Sequence, residues 1–338
     1  MDGALYLQSQ FLDDGRPHWE NVRSVFEFTQ ASNGQDLDDL QLNELSQASD
    51  FEVPSGVAKV FYHQHRIAVF YFLITGSKMR VTRWDRSGTR VSTELFDYVE
   101  CPELLRDVLW GVSQLSREQQ GFDSTAVPLV EEDVDFKKMD EVALPRATDI
   151  LDVEGALVDH APHGPYTFTF TRDAWRTSIE DTSYRHRLSI PTADGERWFL
   201  TGKPLFIHPM ISCRTTRGYL AWDVSAEHFV FLKDAWRPPY QSVSAEGNVL
   251  RELRAAGVKN IPTWVCDSEI DHENLNSKLR ANNGTRGTKR KKSEANHDLH
   301  FRHYRIVVEE ICFPLCDFKT GRQLISIIRD CVEGMHYC

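Results

Sequence analysis

In the stretch HFVFLKDAWR (228–237), the two-residue period of a strand puts Phe229, Phe231 and Lys233 on one face. An ammonium group on an aromatic face is costly unless it meets an anion. Thirteen residues further on, EGNVLRELRAAG carries a helical apolar stripe at Val249, Leu250 and Leu253, and Glu246 falls on the same side of that helix. Two opposite charges that both point inward can satisfy one another, and such a pair suits a lysine that holds phosphate oxygens while a glutamate orients it. Spacing alone leaves a second reading open. In it, Lys233 snorkels to solvent and Glu246 sits in a first helical turn favoured by the helix dipole.

Positioning these groups requires an α+β architecture. Residues 1–130 read as a mixed α/β unit: VRSVFEFTQ is strand-like, and VAKVFYHQHRIAVFYFLITGSKMRVTRWDRSG alternates as hairpin strands do, with turns at Gly76-Ser77 and Arg86-Ser87-Gly88. PELLRDVLWGVSQLS then has helical spacing. Residues 131–165 are acidic and weakly periodic and read as a linker with at most one short helix. Residues 166–338 form a second unit. Strand-like runs (YTFTFT, RWFLTGKPLFI, RGYLAWDV, HFVFLKD) precede a helix at about 244–256, strands at IPTWVCD and YRIVVEEI, and a helical LISIIRDCVEGMH.

Composition bounds the possibilities. The 338 residues exceed one typical domain, and 41% hydrophobic with 26% charged residues describes a folded globular protein. Seven scattered cysteines without a CxxC pair read as reduced thiols, and no leader or membrane span is visible, so the expected location is intracellular, in cytoplasm or nucleus. The net charge of -11 predicts repulsion of nucleic acid and acidic membranes. One insertion, 277–298, departs from this balance. Between Lys278 and Lys292 it holds seven basic residues and no acidic one, which predicts a mobile loop, and Lys289-Arg290-Lys291-Lys292 fits either a solvated run, a nuclear import patch or a nucleic-acid contact. Asn283-Gly284-Thr285 matches a glycosylation acceptor by chance composition.

Taken in order, CRTTRGY (213–219), LKDAWR (232–237), EGNVLREL (246–253), GVKNIPTWV (257–265) and HYRIVVEEICFPLCDF (303–318) make the chain resemble the fungal-type protein kinase family. RWDRSGTRVS (83–92) and LSREQQGFDST (115–125) resemble the segment that precedes the kinase in that family. The resemblance implies a kinase-like amino-terminal lobe, an antiparallel sheet with one helix, followed by the start of a carboxy-terminal lobe. It implies ATP-dependent phosphoryl transfer to protein hydroxyls, with ATP and Mg as cofactors and a protein substrate or partner. It also implies an ATP site at Lys233, Glu246, Gly218, Leu220 and Val308, with Glu309, Glu310 and Ile311 as the hinge.

The sequence departs from that pattern where chemistry needs it most. Glycines let phosphate-loop N–H groups close over phosphates, but the three positions are Cys213, Thr215 and Gly218, so phosphate contact is expected to be weak. No catalytic-loop aspartate with its asparagine, and no metal-binding DFG, is present. Arg329-Asp330 lacks the preceding histidine, and Asp317-Phe318-Lys319 follows the hinge too closely. Only 27 residues follow Ile311, so the stretch is expected to be truncated inside the first helix of the second lobe and inactive as it stands. The alternatives are a non-catalytic, pseudokinase-like interaction module and a degenerate nuclease-like leading domain. In the latter, Glu27-Phe28-Thr29 has threonine where a lysine is needed, and Asp13 or Asp14 is the nearest acid. His297, His300 and His303, with Asp298, have metal-like spacing but read as solvated, so neither a catalytic nor a metal-ligating residue is assigned.

Overall fold

A computed structural model describes residues 3–10, 12, 14–29, 53–86, 90–150, 167–208, 215–237, 244–272 and 301–335. Residues Cys213, Asp13, Asn283, His297, Asp298 and His300, the insertion 277–298 and all of 151–165 lie outside them. The architecture is α+β, built on two sheets. No helix among the described residues is long and apolar enough to cross a membrane.

The first sheet contains β1 (Gly3–Leu5), β2 (Ser24–Thr29), β3 (Ala68–Thr75), β4 (Lys78–Asp85), β5 (Arg90–Ser92) and β6 (Phe96–Asp97), in the order β1-β2-β3-β4-β5 with β6 beside β4. Strand β3, AVFYFLIT, is apolar on both faces because both are covered. Helix α1 (Ser55–His63) packs Val57, Val60 and Phe61 on the face carrying Val25, Val69 and Trp84, and helix α2 (Pro102–Gln114) brings Leu105, Val108 and Val112 to the face of Phe72 and Met79. The hairpin expected across VAKVFYH is therefore only half present. β3 and β4 turn at Gly76-Ser77, but residues 55–63 are helical. Parallel pairing of β2 with β3 needs a crossover, and burial at Gly56, Val57, Val60 and Phe61 follows a helical period.

The second sheet runs β13-β14-β12-β11-β9-β8-β7, with β10 also on β11. Its strands are β7 (Ala126–Pro128), β8 (His186–Thr192), β9 (Gly195–Thr201), β10 (Phe206–His208), β11 (Thr216–Asp223), β12 (His228–Arg237), β13 (Trp264–Ile270) and β14 (Arg302–Val308). The sheet curls until β13 lies against β8, enclosing Leu188, Ile190, Phe199, Tyr219, Val230, Leu232, Cys266 and Val307. Outside it, α3 (Val134–Val142) and α4 (Thr169–Ile179) cover Leu200, Leu220, Trp222 and Phe229.

Two sequence expectations change here. YTFTFT alternates like a strand, yet a helix starts at Thr169, because Thr171, Arg172, Trp175, Ser178 and Ile179 share one buried side. Residues 131–150, read as linker, contribute to the second core. Phe136, Met139 and Val142 of α3 pack against Trp175, whose Nε1–H donates to the Met139 carbonyl at 3.1 Å, and Asp149 forks onto Arg172 at 2.5 and 2.7 Å. The one short helix allowed for in this stretch is therefore part of the core and not of a linker. Helices α5 (Glu246–Ala255) and α6 (Gly321–Met335) complete the unit.

Candidate functional site

Strand β12 carries a different chemistry on each face. Register sets Lys233 opposite Gly218 of β11 and Ile306 of β14, and its Nζ reaches Glu246 Oε2 at 2.6 Å. The glutamate lies at the start of α5, and that helix is fixed from below. Tyr304 Oη accepts from the Gly247 N–H at 2.9 Å and donates to Asp267 at 2.8 Å. Asp267 also receives Arg251 at 3.0 Å and the Trp264 indole at 2.6 Å. Gly247 is required, since a Cβ there would sit 2.4 Å from the Asp267 carboxylate. Burial, and then the neighbouring Asp267, push the Tyr304 hydroxyl's pKa upward, so it remains a donor.

Around Lys233 the surface is aromatic. Phe206 and Phe231 stack with centroids 6.3 Å apart, and the Phe206 ring lies where a Cβ on Gly218 would come, 2.2 Å from its edge. Gly218 is thus an in-strand glycine that admits this ring. Val308 stands opposite Phe231 and joins the cluster of Leu250, Tyr304 and Ile306. Beyond it the Glu309 N–H donates to the Thr263 carbonyl at 3.0 Å, and the Glu310 carboxylate accepts from Thr263 N and Oγ1 at 2.7 and 2.5 Å. Leu220 and Ile311 are not brought to this surface. Leu220 is buried among Trp175, Trp222 and Phe229, and Ile311 packs on that same cluster. Trp175 of α4 belongs to the cluster that buries Leu220.

The other face of β12 leads into a buried seam between the two sheets. Asp234 accepts from His303 Nε2 and from Arg305 Nε (3.3 Å), and Arg305 Nη2 donates to Asp123 at 2.7 Å. Burial alone would raise both carboxyls, but for Asp123 Arg305 and then His303, and for Asp234 His303 and then Arg305, hold them below the ordinary carboxylate range. Burial would lower Arg305, and the same two acids keep its pKa raised. Arg217 crosses the seam to the end of α1, donating to the carbonyls of Phe61 (2.5 Å), Tyr62 (3.1 Å) and Gln64 (2.7 Å), where the helix dipole is negative. Alongside lies a cavity of about 10 Å³, room for one water, lined in part by Asp123, Thr215, Asp234 and His303. His65, Arg86 and His186 border this region. Burial, then Arg217, pulls His65 well below its usual range, and burial brings Arg86 to about 9 and His186 to about 4.

Other sequence candidates fall elsewhere. His303 is buried against Trp236, with ring centroids 4.7 Å apart, which corrects its reading as solvated. The reason is strand alternation in HYRIVV, which sends His303, Arg305 and Val307 inward together. Thr29 Oγ1 bonds Thr75 Oγ1 at 2.5 Å, Glu27 accepts from Tyr71 Oη at 2.9 Å, and Asp14 pairs with His18 at 3.0 Å. Asp317 and Arg329 are exposed, and Arg329 pairs with its neighbour Asp330 at 3.0 Å. Sequence reading missed Asp123, Asp234, Asp267, His272, Tyr304 and Arg305. For Asp234 and Arg305 the signal was a polar residue on the inward-facing side of a strand-like run, whereas Asp123 and His272 lie in polar stretches that carry no such signal.

The described residues thus form an α+β protein in which a strand lysine meets a glutamate of the following helix. The family model described as "Fungal protein kinase" matches residues 1–337, and the chain belongs to that family. No curated protein and no solved structure matches it.

Proposed function

We propose that the face of β12 bearing Lys233 is a nucleotide-phosphate site, that Glu246 orients the lysine there, and that residues 1–338 bind nucleotide without transferring its phosphoryl group. The observation that carries this reading is the 2.6 Å contact between Lys233 Nζ and Glu246 Oε2. In a kinase the corresponding lysine lies on the third strand after the start of the lobe and pairs with the next helix. Here β10, β11 and β12 supply three such strands, and α5 follows β12 directly. The strand order β10-β11-β12-β14-β13 supports an amino-terminal kinase lobe.

Magnesium would be brought by the nucleotide, because residues 1–338 contain neither a DFG aspartate nor a catalytic-loop asparagine to hold it. With two of the three phosphate-loop glycines replaced and both Leu220 and Ile311 packed into the core around α4, affinity rests on Lys233. The test is thermal stabilisation by Mg·ATP in the wild type and in Lys233→Met, with phosphate release measured in parallel.

A second reading is supported by the exposed apolar side chains on and before α6, Phe313 (47% exposed), Leu315 (55%), Ile325 (69%) and Ile328 (49%). A protein partner covering it would make this a non-catalytic interaction module. Ile325→Asp with Ile328→Asp would then improve solubility and abolish partner capture while leaving nucleotide stabilisation intact.

A further inference from the structure

The buried seam holds a group of side chains that the nucleotide reading does not use. His272 Nε2 lies 2.9 Å from His303 Nδ1, and Asp123 Oδ2 is 4.0 Å from the same His303 nitrogen. One donor atom from each of Asp123, His272 and His303 falls within 4.8 Å of the others. The three come from distant places in the chain. Asp123 ends the segment that joins the first sheet to β7, His272 follows β13, and His303 begins β14.

Proton accounting limits what these atoms can do. The ionised Asp234 can only accept, so His303 Nε2 carries a proton, and with the ring in its neutral tautomer His303 Nδ1 presents a lone pair toward His272. In the metal-free state, His272 fills that lone pair with its own Nε2–H. Moving the His272 proton to Nδ1 exposes a second lone pair beside the first, with no change in total charge. Asp123 Oδ2 accepts one bond from Arg305 and keeps a further lone pair, while Oδ1 is occupied by Thr125 N and Oγ1 at 2.9 and 2.5 Å.

We propose that His272 Nε2, His303 Nδ1 and Asp123 Oδ2 form a transition-metal site of the zinc class that joins the two halves of the chain. Two imidazoles and one carboxylate are a borderline donor set, suited to Zn²⁺ or Co²⁺ rather than Mg²⁺. Two of the three donors have outer hydrogen-bond partners that orient them, and the third is held by ring stacking. Asp234 holds His303, Arg305 and Thr125 hold Asp123, and His272 stacks on His303 at 5.1 Å. The water-sized cavity beside Asp123 and His303 leaves room for a water as fourth ligand. Arg305 is one positive charge touching two carboxylates, Asp123 and Asp234, which leaves one negative charge for the cation, while Arg217 and Arg86 keep their charge and are turned toward the backbone carbonyls of residues 61–66.

The test uses the full chain, stripped with a chelator and titrated with Zn²⁺ and separately with Mg²⁺, followed by calorimetry and by melting temperature. One Zn²⁺ per chain and a Zn²⁺-specific rise in melting temperature are expected. Co²⁺ should give visible ligand-field bands without the thiolate charge-transfer band that the exposed Cys312 and Cys316 would produce. His272→Ala should abolish stoichiometric binding, and His272→Gln serves if the alanine variant does not fold. Asp234→Asn, a positioning change, should weaken affinity by roughly 10–100-fold. The proposal is overturned by the absence of Zn²⁺ binding, by a thiolate signature, by equal stabilisation from Mg²⁺, or by unchanged binding in the His272 variants.

Discussion

Lys233 and Asp234 are adjacent on β12 and serve opposite faces. Lys233 meets Glu246 at 2.6 Å on the outer face, and Asp234 is bonded to His303 and, at 3.3 Å, to Arg305 on the buried one. One strand therefore joins the proposed nucleotide surface to the seam against the first sheet. A disturbance of the seam reaches the lysine through a single backbone register.

Arg305 is the keystone of that seam, since it is fully buried between Asp123 and Asp234. Arg305→Met leaves two buried carboxylates without their cation, which costs about 3–5 kcal/mol. Urea denaturation of the variant should show that loss. A change below about 1 kcal/mol would mean the pair behaves as a solvated surface contact.

Tyr304→Phe removes one hydroxyl that both caps α5 and anchors Asp267. The expected cost is about 1–3 kcal/mol, because the Gly247 N–H and an Asp267 oxygen are left unpaired. Hydrogen exchange should accelerate at 246–250 first. Unaltered protection of that turn would show that Tyr304 does not set the position of Glu246.

Acid sensitivity should come from the seam histidines before the carboxylates. His186 stays neutral in the folded protein down to about 4, chiefly through burial, while its Nδ1 faces the Tyr184 carbonyl at 3.0 Å and its ring lies 4.8 Å from His65. The unfolded chain takes up that proton near its ordinary value of about 6.5, so stability present above 6.5 is lost as pH falls from there toward 4. His65, also depressed, adds in the same direction. His186→Asn should flatten the melting temperature between pH 6.5 and 4.5. An unchanged slope would assign the acid loss to other groups.

Much of the second sheet is legible in the sequence because its strands are bounded by turns and its lysine and glutamate stand at telling distances. The helices were harder. Residues 55–63 and 169–179 are rich in Val, Phe and Thr, which favour strands locally, and only their tertiary burial selects a helix. The seam was hidden for a different reason. Asp123, Asp234, His272 and His303 are spread over 181 positions, from 123 to 303, and nothing in their local spacing says that they converge. Leu220 illustrates the limit of a residue-by-residue resemblance, since α4, which lies outside the motifs that carry the resemblance, buries it.

The most direct measurement is the melting temperature of the wild type and of Lys233→Met with and without Mg·ATP. The pair is 32% and 47% exposed, so its own contribution to stability is at most about 1 kcal/mol, and the variant should melt close to the wild type without nucleotide. The account predicts a saturable rise for the wild type that is lost in Lys233→Met. An equal rise in both proteins would contradict it, as would no rise in either.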